Sequence, residues 1–312
     1  MDSWFEEVTG AAAGAAPAWL ALGVMAHLLN QVTRGLGWCA IVRGACGDVR
    51  RRDAVGVWVA GAGAGGVLSA RGGDAVRVLL MGRKLPEARS SVLTGTLVAE
   101  AAGDTLVGAV VLLLAVALGA APALGLPGAE TALWVGASIA FVALAWLAVR
   151  RVGGGHAAGV GRVRRALAGV GAGCSSLTRP GEFARRVLPW QLASRLFRGV
   201  AIACFLLAFG LPGGVAAVLL VMLAQTGGRL LPLAPASAAA AVGMLTAGFA
   251  PATGAAVSAG AVAAFMVGMS GLLTVAGAVL GVAIVSLTAG PGAMAALWRA
   301  ARPRRTARAS AG

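Results

Sequence analysis

Tyrosine is absent from this 312-residue chain, histidine occurs twice, and aromatic residues make up only 5% of it. Charge is scarce as well: 12% of residues are charged, against roughly a quarter in soluble domains. The scarcity is uneven, with 26 basic residues against 11 acidic ones and a formal net charge of +15. In a soluble protein that balance points to nucleic acid. Here no regular aromatic platform accompanies the basic side chains, so no nucleic-acid partner is expected. The positive-inside rule explains the arginines, because they cluster between apolar segments. Cys39, Cys46, Cys174 and Cys204 lack metal-ligand spacing, which excludes a zinc site and a disulfide framework. His27 and His156 complete no nucleophilic arrangement, and no GxxxxGK[ST] phosphate loop occurs. The expectation is a protein that is not an enzyme and carries no cofactor and no metal.

What is present is apolar. Hydrophobic residues make up 59% of the chain, and the mean hydropathy is +0.86. Thr253 to Gly290 contains no charged residue, well beyond the ~20 residues that one crossing needs. These features predict an all-α, polytopic membrane helix bundle of about six to eight spanning or re-entrant helices with a pseudo-repeat. Residues 1–298 form the integral membrane domain, with a basic cytoplasmic loop at 150–187, and 299–312 form a basic cytoplasmic tail. The acidic opening, MDSWFEEVTG, does not read as a cleavable signal peptide. The expected location is the plasma membrane, multi-pass, with the C-terminus cytoplasmic.

Spans are predicted at Pro17 to Val42, Ser91 to Leu118, Thr131 to Val149 and Leu188 to Phe209. Thr253 to Leu287 reads as one long tilted helix or a tight pair. Ala54 to Leu68 is short, glycine-rich and flanked by basic residues on both sides, the pattern of a re-entrant hairpin. Short apolar pieces recur at Val215 to Gln225 and Ala238 to Phe249. Interrupted segments at matching places in two halves point to a transport-type site.

Several polar groups interrupt the apolar runs. His27, Asn30, Gln31 and Arg34 recur at helical spacing and share a face, as interhelical glue or as a substrate-facing stripe. Glu100 and Asp104 lie four residues apart, so their carboxylates face the same way. Two such ions in a low dielectric require a nearby cation or a proton. Arg71, Arg77, Arg195 and Arg198 are the candidate cations, and Arg34 belongs to the same intramembrane charge network. Arg71, Gly72, Gly73, Asp74 and Arg77 form a candidate head-group site. If Gly72 and Gly73 break the helix, Asp74 starts a new turn at a positive helix terminus, and Arg71 and Arg77 flank a glycine-lined anion cradle. The plainer alternative is that these arginines only mark the cytoplasmic edge.

LSARGGDAVRVLL resembles the signature of the lysylphosphatidylglycerol synthase transmembrane-region family, a flippase-like membrane domain. That family shows a Pro-Ala-Arg-x-Gly-Glu/Asp-x-x-Arg core. Arg71, Gly73, Asp74 and Arg77 match it, with Ser69 in place of proline. Glu100 and Asp104 match its Glu-Arg-x-x-Asp span, with Ala101 in place of arginine. Arg34 and Trp38 resemble the family's arginine–tryptophan helix end. Pro232 and Pro235 resemble a Leu-Pro-x-x-Pro segment that forms a second half-site, although its glycines and acidic residue are replaced. By the same resemblance the chain begins where the family's second helix usually does, one span short. The resemblance implies a lipid flippase or lipid-binding transport protein for anionic or polyprenyl-type lipids, without the aminoacyl-transferase domain. The alternatives are a membrane accessory subunit of a lipid-modifying glycosyl- or aminoacyl-transferase, or a degenerate structural paralogue. Membrane lipids are the implied partners, with a lipid-modifying enzyme as a further one.

Overall fold

The computed structural model describes residues 2–67, 70–117, 136, 161–228 and 234–289. They form eleven α-helices and one short 3-10 turn. These are α1 (Asp2–Ala13), α2 (Pro17–Cys46), α3 (Arg51–Val67), α4 (Ala70–Lys84), α5 (Ser90–Ala117), α6 (Arg162–Gly173), the 3-10 turn (Ser175–Thr178), α7 (Pro180–Arg186), α8 (Leu188–Ala208), α9 (Val215–Gly228), α10 (Ala234–Thr253) and α11 (Ala259–Ala289). The span expected at Thr131 to Val149, the loop before it, Pro232 and the tail at 299–312 lie outside the described residues.

The burial pattern is that of a helical protein dissolved in lipid. On α2, Trp19, Leu22, Met25, Leu29 and Val32 recur every three or four residues and face outward. Leu192, Leu196 and Val200 do the same on α8, as do Val275, Val279 and Val282 on α11. The interior meanwhile holds Glu100, Asn30 and Gln191, at 4%, 6% and 1% exposure. Apolar faces outward and ionisable groups inward are what a bilayer selects, because lipid rewards no segregation of apolar side chains to the core. Among the described residues, Leu188–Ala208 and Ala259–Ile284 are long and apolar enough to cross a membrane, and Val215–Gln225 and Ala241–Thr253 are shorter apolar helices.

Two long helices form the spine. α2 and α8 pack antiparallel along most of their length: Ala16 N–H donates to the Ala208 carbonyl at 2.9 Å, Gly23 lies against the Phe205 ring, and Gly37 lies against Trp190. α3 and α4 form an antiparallel hairpin closed at its base by the Asp53–Lys84 ion pair at 3.3 Å. The glycines that mark Ala54 to Leu68 as a re-entrant segment in the sequence are contact residues in the fold. A Cβ at Gly61 would run into Arg77 Cγ and the Gly73 carbonyl, and one at Gly73 into the Gly61 carbonyl. Gly63, on another face of α3, admits Gly277 and Gly281 of α11 in the same manner. Small residues let backbones approach, and close packing is what holds helices together in lipid.

Four expectations are corrected. Gly72 and Gly73 do not break the helix: both lie inside α4, which runs unbroken from Ala70 to Lys84. Asp74 therefore sits beyond the first turn rather than at a helix start. The basic segment at 150–187 is not a loop where it is described but folds as α6, the 3-10 turn and α7. Its Gly169 and Gly173 nest against Ser91 and the Val92 carbonyl at the start of α5, and Cys174 Sγ donates to the Gly95 carbonyl at 3.2 Å. Composition counts such glycines as loop formers, whereas packing uses them as the absence of a side chain. Fourthly, Ala238 to Phe249 is the middle of a longer helix, α10. Of the two readings of Thr253 to Leu287, the single helix holds: α11 begins at Ala259 after a turn in which Gly254 takes φ +75°.

Candidate functional site

α2, α5 and α8 bring four charges together inside the bundle. Arg34 Nη2 on α2 lies 2.6 Å from Glu100 Oε1 and 3.7 Å from Asp104 Oδ2 on α5. Arg34 Nε also donates to Glu100 Oε1 at 3.2 Å. From α8, Arg195 Nη2 reaches Asp104 Oδ1 at 2.7 Å and the Asp104 carbonyl at 2.8 Å. All four side chains are mostly withdrawn from solvent, with exposures from 6% to 20%. The cluster is neutral, two cations against two carboxylates. The shared face expected for Glu100 and Asp104 exists, and a cation does stand between them. Gly108 on α5 leaves the space that the Arg195 guanidinium fills.

Trp58 of α3 joins this cluster to the hairpin. Its indole N–H donates to Gln31 Oε1 at 3.1 Å, and Gln31 Nε2 lies 3.1 Å from His27 Nε2. The guanidinium carbon of Arg77 lies 3.9 Å from the Trp58 ring centroid, and that of Arg34 lies 5.1 Å from it. Cations against a desolvated indole face are attracted by its quadrupole. Arg77 Nη1 donates to Asp74 Oδ1 at 2.6 Å, and the Asp74 side chain is 54% exposed. Trp38 closes the layer below, donating from Nε1 to Thr96 Oγ1 at 3.1 Å. The polar stripe read on α2 thus finds partners on two other helices, α3 and α5.

Not every expected residue joins. Of the four cations proposed for Glu100 and Asp104, Arg195 pairs with Asp104 directly. Arg77 is bound to Asp74 and Trp58, and Arg198 donates to Gln225 Oε1 of α9 at 2.6 Å. Gly73 does not line an open cradle, since its missing side chain is what lets α3 cross α4. Gly72 lies in the first turn of α4. The side chain of Arg71 lies outside the described residues, as do Pro232 and the side chain of Pro235, which falls in the first turn of α10.

Trp58 and Gln225 were missed by sequence reasoning. The available signal was their isolation: Trp58 is the one large ring in an Ala/Gly/Val run, and Gln225 ends an otherwise apolar piece. Gln191, which the sequence shows with Arg195 and Arg198 early in the Leu188 to Phe209 span, has a different surrounding. It is buried, and neither of its amide atoms has a hydrogen-bond partner within the described residues.

No curated protein and no solved structure matches the chain. The profile of one family does match, the lysylphosphatidylglycerol synthase TM region, over residues 3–281. A match over most of the chain agrees with the motif around Arg71 to Arg77 and with the outward apolar faces, so this membrane protein belongs to the lysylphosphatidylglycerol synthase TM region family.

Proposed function

We propose that the protein binds anionic or polyprenyl-type membrane lipids and passes their head groups between leaflets without covalent catalysis. The observation that carries this reading is the neutral Arg34–Glu100–Asp104–Arg195 cluster, buried in a bundle whose outer face is apolar. Ionisable groups inside a membrane bundle are costly, and they mark pathways for polar cargo. An anionic head group entering such a cluster exchanges one carboxylate partner for a phosphate. Asp74 is half-exposed and accepts from Arg77, so it is the first carboxylate a phosphate can displace. Arg34 lies between two carboxylates at unequal distances and can shift its pairing from one to the other.

In the proposed topology α2, α5, α8 and α11 cross the plasma membrane, and the α3–α4 hairpin enters and leaves on one side. The basic ends, with Arg43, Arg50 to Arg52, Lys84 and Arg89, face the cytoplasm. Ile284 near the end of α11 lies beside Gly56 at the base of the hairpin, which supports a cytoplasmic C-terminus. Arg71 and Arg77 remain the proposed head-group ligands of the hairpin, and Pro232 and Pro235 the proposed second half-site.

Reconstitution in liposomes with a fluorescent anionic phospholipid tests the reading. Protein-dependent exchange between leaflets is expected for the wild type, with most of it lost in Arg77→Ala and Glu100→Gln. Absence of exchange in the wild type overturns the proposal. Lowered turnover of a lipid-modifying transferase on deletion of the protein would instead support an accessory role.

A further inference from the structure

The base of the α3–α4 hairpin, where it meets α11, encloses a cleft of about 240 Å³. Arg52, Arg83 and Lys84 form its basic rim, and Val57, Leu80 and Ile284 supply its apolar walls. Lys84 is paired with Asp53 at 3.3 Å. Among the described residues no carboxylate pairs with Arg52 or Arg83, so the rim carries two uncompensated guanidinium charges. α11 turns Val275, Val279 and Val282 outward, which makes it a perimeter helix and puts the cleft at the lipid-facing edge. The cleft is distinct from the Arg34–Glu100 cluster and from Arg71 and Arg77, the last of which binds Asp74 and Trp58 elsewhere on the hairpin.

We infer that this cleft is a docking site for the phosphate of an anionic phospholipid, held before the head group moves deeper into the bundle. The inference rests on the lipid-handling reading above and adds to it where the lipid is first captured. Guanidinium groups match phosphate oxygens in a planar, two-pronged fashion, and the two on this rim are available to a phosphate. The volume lies below the roughly 300–1,000 Å³ of pockets that enclose a whole drug-sized ligand, so it suits a head group whose chains stay in the bilayer. Apolar walls beneath a basic rim distinguish an amphiphile from free phosphate, which gains nothing from Val57, Leu80 and Ile284.

The test compares retention of phosphatidylglycerol by the purified full chain, measured by native mass spectrometry against phosphatidylcholine as the zwitterionic reference. In the double variant Arg52→Gln, Arg83→Gln the dissociation constant of the tightest phosphatidylglycerol rises about thirtyfold, as expected for two basic groups acting at an anionic head. The variant Arg50→Gln, Arg51→Gln removes the same charge next to the cleft and changes it less than about threefold. Equal loss in both variants overturns the site in favour of a diffuse surface charge. Displacement of the lipid by a molar excess of inorganic phosphate overturns the lipid assignment. An unaltered thermal midpoint in the double variant confirms that the loss is one of binding, since neither arginine makes an ion pair among the described residues; if the midpoint falls, Arg52→Lys, Arg83→Lys must restore both it and retention. Leaflet exchange separates the two proposals. Exchange in the wild type with unchanged retention in the double variant sinks the docking site alone, whereas lost retention with no wild-type exchange sinks the transport reading alone.

Discussion

The two halves of the molecule solve the same packing problem with different side chains. The first half packs its hairpin with rings that carry a donor: Trp38 and Trp58 have centroids 5.8 Å apart, and each gives its N–H to a polar partner. The core of the second half, where the end of α8 meets α9, α10 and α11, packs with rings that carry none. Phe205, Phe249 and Phe265 are fully buried there, and Phe209 meets Phe265 edge to face at 6.2 Å. Charge follows the rings. α3 and α4 hold arginines, a lysine and two aspartates, whereas α9 and α10 hold none of these. An indole both hydrogen-bonds and attracts cations more strongly than a phenyl ring, so a tryptophan core accommodates buried arginine better than a phenylalanine core. The first half therefore carries the chemistry, and the second supplies α8 and an apolar wall.

Breaking the ion-pair cluster tests this division most severely. Glu100→Ala leaves Arg34 and Arg195 sharing Asp104, an uncompensated buried charge. A loss of about 3–5 kcal/mol is expected, read as a drop in the thermal midpoint in detergent. The double change Arg34→Met, Glu100→Met leaves the neutral Asp104–Arg195 pair, so stability should recover most of that loss. Failure to recover would mean that the pair is not the unit that matters.

Crowding a glycine in each half comes next. Gly61→Ala drives a methyl group against Arg77 and the Gly73 carbonyl and is expected to cost about 1–3 kcal/mol. Gly243→Ala on α10 meets nothing within 4 Å and should be neutral or stabilising by up to about 1 kcal/mol, the helix preference of alanine. Equal effects would show that glycine has no special place in the first hairpin.

A smaller effect separates ring from donor. Trp58→Phe keeps an aromatic face for Arg77 but removes the bond to Gln31. About 1 kcal/mol of stability should be lost, again by thermal midpoint. The smallest effect lies outside the spans. Burial pushes the Cys174 thiol up to about 11, so the thiolate is scarce at neutral pH. Maleimide labelling of Cys174 in the folded protein should stay slow until the pH approaches that value. Because the folded thiol is raised above its ordinary value of 9.0, the same group contributes stability below pH 9 that is lost as the pH climbs toward 11.

Legibility differed by kind of signal. The helical character, the outer polarity and the shared face of Glu100 and Asp104 followed from spacing, because a helix fixes which residues stand above one another. Glycine misled twice, at Gly72 and Gly73 and again in the segment around Gly169. Its role depends on what stands opposite, and sequence does not print that. The arginines misled for the same reason. Arg34, Arg71, Arg77, Arg195 and Arg198 are all candidates by sequence, and the crossings of α2, α5 and α8 bring Arg34 and Arg195 to the two carboxylates.

By itself the sequence determined that this chain is helical, lives in a membrane, keeps its few carboxylates among many cations and carries its family's arginine motif. Those properties depend on local periodicity and on the cost of charge in hydrocarbon, which act residue by residue. Tertiary structure alone decided which cation meets which carboxylate, that Trp58 is shared by two arginines, and that among the described residues two arginines at the base of the hairpin have no carboxylate partner. Pairing of this kind spans helices tens of residues apart, as Arg34 and Glu100 do, and is fixed by how closely glycine lets the backbones approach.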